Sequence, residues 1–280
     1  MQGIVGVIVA VLFIVFLVMQ NGFSTGLTSL NDKLVNDPFF ILPLTLIGFA
    51  ASFITLYFCI RFIHKQKFIS VVTSRSKINW MRILKGAVVW IAILGTYTII
   101  SFLVTPESYK FTFNPSMFGI LLIVSLITFP LQASFEEVFF RGYLMQGFGL
   151  ITKKPIIPIL ITAIIFGALH VFNGQGMTIS ALPAIEAGII GIMLGIITLG
   201  ESSIETAIGI HVINNLYATL IVSAPDSVVG NVPSVLTGQP DSYINIFLLV
   251  LFAVIAITII FWNKKDKLRD IFRWEDAEPY

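Results

Sequence analysis

The sequence has 280 residues, of which 56% are hydrophobic and 11% charged, with a formal net charge of +2 and a mean hydropathy of +0.94. About a quarter of a soluble domain is charged, so this chain has too few ionic groups to coat a globule of its size. A soluble fold is therefore excluded, as is a disordered chain, which needs low hydrophobicity and high charge.

The remaining class is a membrane protein, and the apolar runs give its architecture. Runs of about 17–25 apolar residues read as spanning helices. In chain order they are 3–19, 40–60, 86–104, a long run from 118, 156–172, 184–199, 205–224 and 244–262. None alternates in the way that β-barrel strands do. The first run has no Lys or Arg before it and no small-residue cleavage site at its end, so it is expected to be a retained span rather than a secretory signal. The expected fold is all-α: a polytopic helix bundle of about eight transmembrane helices, forming one integral membrane domain over 1–280.

Lys and Arg set the orientation. Segment 61–85 holds Arg61, Lys65, Lys67, Arg75, Lys77, Arg82 and Lys85 and no acidic residue, which places it in the cytoplasm. Eight spans then put both termini, Lys153, Lys154 and the basic tail after Trp262 on the same side. Only Lys33 and Lys110 fall outside, and Arg141 falls within the membrane. Cys59, the single cysteine, rules out an internal disulfide or a cysteine-rich metal site. Seventeen basic residues against fifteen acidic ones give no basis for nucleic-acid binding. In the sixth run, Ala187, Gly191 and Gly195 recur every four residues, which favours close helix packing.

Ionisable and amide groups within a bilayer are functional candidates by default. Here they are Glu136, Glu137, Arg141, His170, Glu186, Glu205, His211, Asn214 and Asn215. Residues four apart on a helix share a face, so Glu137 and Arg141 match as an ion pair. Glu136 is turned about 100° away onto a face carrying Phe139 and Phe140, which makes it the less neutralised carboxylate. His211 and Asn215 also share a face. Glu205, at the start of its run, reads as a partner of the helix dipole. Glu186 reads as interfacial, and Asn214 as a bond to a neighbouring helix. His64, among cytoplasmic cations, reads as a solvated bystander.

Depth tests whether these groups can meet. At about 1.5 Å per residue, His170 lies about 22 Å from Pro155, and Asn215 about 15–18 Å into its helix. The Glu pair reaches that level only if the fourth helix continues to about Gly147. Such a helix is too long for an upright span, so it is expected to tilt or bend, with Pro130 as the expected place. A water-filled cavity is expected to reach the same level.

Three short patterns now stand in order: Glu136-Glu137-x-x-x-Arg141, Phe166-x-x-x-His170 and His211-x-x-x-Asn215. Together they resemble the CPBP family, which includes type II CAAX prenyl endopeptidases, bacteriocin-processing enzymes and Abi proteins. The resemblance covers about 115–225, the expected catalytic core, and the first three spans lie outside it. It implies an intramembrane endopeptidase in an all-helical bundle. By the same resemblance, Glu136 and His170 would activate a water, and His211 and Asn215 would donate to the oxyanion. Glu137 and Arg141 would orient the site.

No cofactor is expected. Zinc held by Glu136, His170 and His211 is the second choice, since the HExxH spacing is absent. Expected partners are a peptide or membrane-protein substrate and the lipid bilayer. The expected location is an integral, multi-pass position, in the cell membrane if the host is bacterial. Two other functions compete: a silent scaffold or immunity factor of the same fold, and a proton-coupled transporter. The transporter is disfavoured because the halves show no repeat.

Overall fold

The computed structural model describes residues 38–152, 154–171, 173, 181–224, 232–238 and 242–272. The predicted span 3–19 and both termini lie outside the described residues. The later seven runs each become a helix. They are α1 (Pro38–Phe58), α3 (Trp80–Val104), α4 (Pro115–Glu137), α6 (Ile156–Leu169), α7 (Ala181–Glu201), α8 (Glu205–Leu220) and α9 (Ser242–Phe261). Shorter helices are α2 (Ile69–Val72), α5 (Met145–Gly149) and α10 (Lys265–Phe272).

Among the described residues, four stretches are long and apolar enough to cross a membrane: Ile41–Ile63, Trp80–Val104, Pro115–Gly149 and Ala181–Glu201. Large apolar side chains on α3 and α4 face outward, among them Leu103 at 74% exposure and Ile123 at 62%, as lipid-facing surfaces require. α6, of 14 residues, and α8, of 16, are too short to span alone. They are the two helices that carry the histidines and asparagines of the site.

Local sequence fixes several boundaries. Asn79 and Asn114 cap α3 and α4 by accepting from the backbone N–H of Met81 and Met117, and Pro115 occupies the first turn of α4, where its missing N–H costs nothing. α4 does not stop at Glu137. It passes into a π-helical stretch, Val138–Leu144, and then α5, giving one run of 35 residues. At 1.5 Å per residue that is about 52 Å, well beyond a hydrocarbon core of about 30 Å. The long fourth helix is thus present, but its departure from α geometry lies at 138–144. Pro130, the expected place, sits inside continuous α-helix.

Glycines set the closest helix crossings. A Cβ on Gly209 would run into the Ile83 carbonyl, and one on Gly86 into the Thr206 carbonyl, so α3 and α8 touch backbone to backbone. In α7, a Cβ on Gly191 would stand 3.1 Å from Ala163, and one on Gly195 would stand 2.9 Å from Ile159. The stripe of small residues is therefore a packing face for α6.

At the basic end, the turn between α7 and α8 is pinned to segment 61–85. The backbone N–H of Ile204 donates to the Val72 carbonyl at 2.9 Å, and that of Ser74 to Ser202 at 3.1 Å. Glu205 is fully buried and does more than face a helix dipole. It accepts from the backbone N–H of Asn79 at 2.5 Å and from Ser203 Oγ at 2.8 Å, and pairs with Arg75 at 3.7 Å. Glu201, absent from the candidate residues, binds Arg82 and Lys264 at 3.4 Å each. His64 is not a bystander either, since its Nε2 lies 2.9 Å from the Tyr143 hydroxyl.

The opposite end carries a feature the sequence did not announce, a three-stranded sheet of order β1–β3–β2. β3 (Leu236–Gly238) pairs antiparallel with β1 (Tyr109–Phe111) and parallel with β2 (Val222–Ser223). Strands of two or three residues leave no periodic signal.

Candidate active site

The site is built where α4, α6, α7 and α8 meet. α4 ends on Glu136 and Glu137, exposed by 1% and 0%. The π-helical turn that follows carries Arg141, also 1% exposed. Widened π turns recur at functional sites, and this one keeps Arg141 within reach of Glu137. Arg141 Nη1 donates to Glu137 Oε1 at 2.8 Å, the pair the spacing predicts. Its Nη2 donates to the Gly191 carbonyl at 3.3 Å, and its guanidinium carbon stands 4.7 Å from the Phe166 ring centroid. A guanidinium held by a carboxylate, a carbonyl and an aromatic face is well compensated for burial.

His211, on α8, stands between the two carboxylates. Its Nδ1 lies 2.7 Å from Glu137 Oε1 and its Nε2 lies 3.4 Å from Glu136 Oε2. The same Glu137 oxygen therefore serves both Arg141 and His211. Glu136 Oε1 accepts from Gln132 Nε2 at 3.3 Å. Glu136 is thus less neutralised than Glu137, as the helical faces implied, but it has neighbours that its own helix turn did not show.

His170 caps the end of α6. The helix stops at Leu169, short of the expected 172, because His170 leaves helical geometry with φ −95° and ψ 1°. Its Nδ1 lies 2.7 Å from the Phe166 carbonyl. A carbonyl only accepts, so Nδ1 carries a hydrogen and Nε2 is the nitrogen not engaged by that carbonyl. His170 lies within electrostatic reach of Glu136, Arg141 and His211. Phe166 ties the histidines together, with ring centroids 4.5 Å from His170 and 5.9 Å from His211.

Asn215 stands one helical turn beyond His211 and is half-buried. Its Oδ1 accepts from Asn214 Nδ2 at 3.5 Å, and Asn214 Oδ1 accepts from the Trp90 indole N–H at 3.2 Å. Asn214 does bond a neighbouring helix, as expected.

Three buried polar atoms of the site have no hydrogen-bond partner: Glu136 Oε2, Glu137 Oε2 and Arg141 Nε. A separate space of about 310 Å³ lies between α1, α2, α3, α4 and α8; its lining is almost wholly apolar and includes none of the six predicted residues. Among the described residues, no three His, Cys, Asp or Glu side chains group to hold a metal ion.

Sequence reasoning missed three contributors. Gln132 lies four residues before Glu136, so helical spacing could have found it. The Gly191 carbonyl and Trp90 come from other helices, and no local signal marks them.

A family model for type II CAAX prenyl endopeptidases, described as Rce1-like, matches residues 116–217. The uncharacterized protein YyaK of Bacillus subtilis (strain 168) is 34% identical over 244 residues, covering 85% of this chain and 81% of that protein. No solved structure matches the chain. With four long apolar helices around a buried polar centre, the chain is an integral, multi-pass membrane protein that belongs to the Rce1-like family of type II CAAX prenyl endopeptidases.

Proposed function

We propose that this chain is an intramembrane endopeptidase that hydrolyses a peptide bond with a water activated by Glu136 and His170. The observation that carries this reading is the junction at His211, where one imidazole faces both carboxylates. Nδ1 of His211 is fixed by Glu137, so Nε2 is the nitrogen turned toward the reacting groups.

The reaction then runs in two steps. The water oxygen bonds to the peptide carbonyl carbon while its proton passes to Glu136 or to His170 Nε2. The oxyanion that forms takes hydrogen bonds from His211 Nε2 and the Asn215 amide, worth about 10²–10³ in rate for one donor. The C–N bond then breaks, and the departing amine takes up the proton held by the base. Glu137 and Arg141 touch no reacting atom in this scheme and act as positioning residues. The reaction is read as metal-independent because the HExxH spacing of zinc proteases is absent. The substrate is a membrane-associated peptide, leader peptide or membrane protein, prenylated where the host makes prenylated proteins.

The test uses purified protein in lipid nanodiscs and two fluorescence-quenched peptides, one farnesylated with a CAAX terminus and one unmodified and apolar. Glu136→Ala and His170→Ala are each expected to abolish cleavage while thermal unfolding stays near that of the unsubstituted chain. Full cleavage by either folded variant would overturn the proposed role of that residue.

A further inference from the structure

The oxyanion role proposed for Asn215 needs its amide to present N–H rather than C=O. The two orientations have nearly the same shape, so something other than packing must choose between them. A chain of donors and acceptors makes the choice. The Trp90 indole can only donate, and it donates to Asn214 Oδ1 at 3.2 Å. That contact fixes the oxygen side of the Asn214 amide and turns its Nδ2 away from Trp90. Nδ2 in turn faces Asn215 Oδ1, at 3.5 Å. With its oxygen engaged there, Asn215 has its own Nδ2 left to donate elsewhere.

We propose that Trp90 and Asn214 are positioning residues that set the amide polarity of Asn215. The inference rests on the oxyanion reading above. Trp90 suits the role because it is immobile: it is fully buried in a cluster with Leu194, Ala207 and Ile210. The contact of α3 with α8 at Gly86 and Gly209 brings the two helices close enough for the indole to reach. Trp90 lies outside the stretch 116–217 that matches the family model, so part of the site's preorganisation comes from a helix beyond the matched core.

The experiment is a double-mutant cycle between Trp90→Phe and Asn215→Ala, with cleavage of the same two peptides as readout. Phenylalanine keeps an aromatic ring in the core and removes the N–H. Trp90→Phe is expected to lower kcat about tenfold with KM unchanged, and to have no further effect once Asn215 is alanine. Equal losses in both backgrounds would make Trp90 a packing residue and overturn the proposal. An Asn215→Ala variant with full activity would overturn the oxyanion reading itself and the proposal with it. If Trp90→Phe does not fold, Asn214→Leu runs the same cycle. A measurement independent of turnover completes the test. In protein labelled with ¹⁵N at asparagine, the side-chain amide resonances of Asn214 and Asn215 should both move in Trp90→Phe. An unmoved Asn215 pair would overturn the proposal.

Discussion

Among the described residues, two pairs of glutamates are buried, and they differ in how fully they are satisfied. At the basic end, Glu205 accepts from Asn79 and Ser203, one on each oxygen. Glu201 accepts from Lys264 on one oxygen and from Thr206 and Arg82 on the other. In the active site, Glu136 and Glu137 each keep an oxygen without a hydrogen-bond partner, beside an unpartnered nitrogen of Arg141. Glu136 Oε2 has only the longer contact with His211 Nε2, at 3.4 Å, so the second pair is less fully satisfied than the first. The same residue type thus acts as a clasp where it is saturated, and the reading proposed above makes Glu136 a reagent where it is not. The clasp fixes segment 61–85 to the turn between α7 and α8. That turn leads into the helix carrying His211 and Asn215, so the clasp also holds the platform for the site.

The sharpest way to break this comparison is one substitution made in both pairs. Glu136→Gln keeps the side-chain size and removes the base; cleavage should fall about 10²–10⁴-fold, with the unfolding temperature little changed. Normal turnover would place the chemistry elsewhere. Glu137→Ala tests the middle ground. It strands Arg141, 1% exposed, without its carboxylate and should cost about 3–5 kcal/mol, read as a lowered denaturant midpoint together with lost activity. Glu205→Gln should cost about 1.5–3 kcal/mol of stability yet leave kcat per folded molecule unchanged. A large kcat loss there would erase the distinction between clasp and site. Lys264→Ala should do least. Its side chain is 40% exposed, so the loss is expected to be below about 1 kcal/mol in the same denaturant titration.

Much of the candidate site was legible because helices are periodic. Glu137 and Arg141 are four apart, and they meet at 2.8 Å. Gln132 and Glu136 share the same spacing, so that contact too could have been read. The bridge from His211 to both carboxylates was not legible, because it spans 74 residues and depends on how α8 is set against α4. The reading of Glu205 was incomplete for a related reason. A position in the first turn of a helix is visible in the sequence, but Asn79, Ser203 and Arg75 converge on it only through the fold. His64 was misplaced likewise, because Tyr143 stands 79 residues away.

The sequence alone determined that this chain lives in a membrane, is built of helices and carries three short polar patterns within its apolar runs. Those properties follow from composition and from period, which are local. Tertiary structure alone decided which of the polar groups saturate one another and which stay open, and where the long fourth helix departs from α geometry. These outcomes turn on contacts between distant helices, set by glycines that let backbones touch and by donors whose acceptors lie on another span.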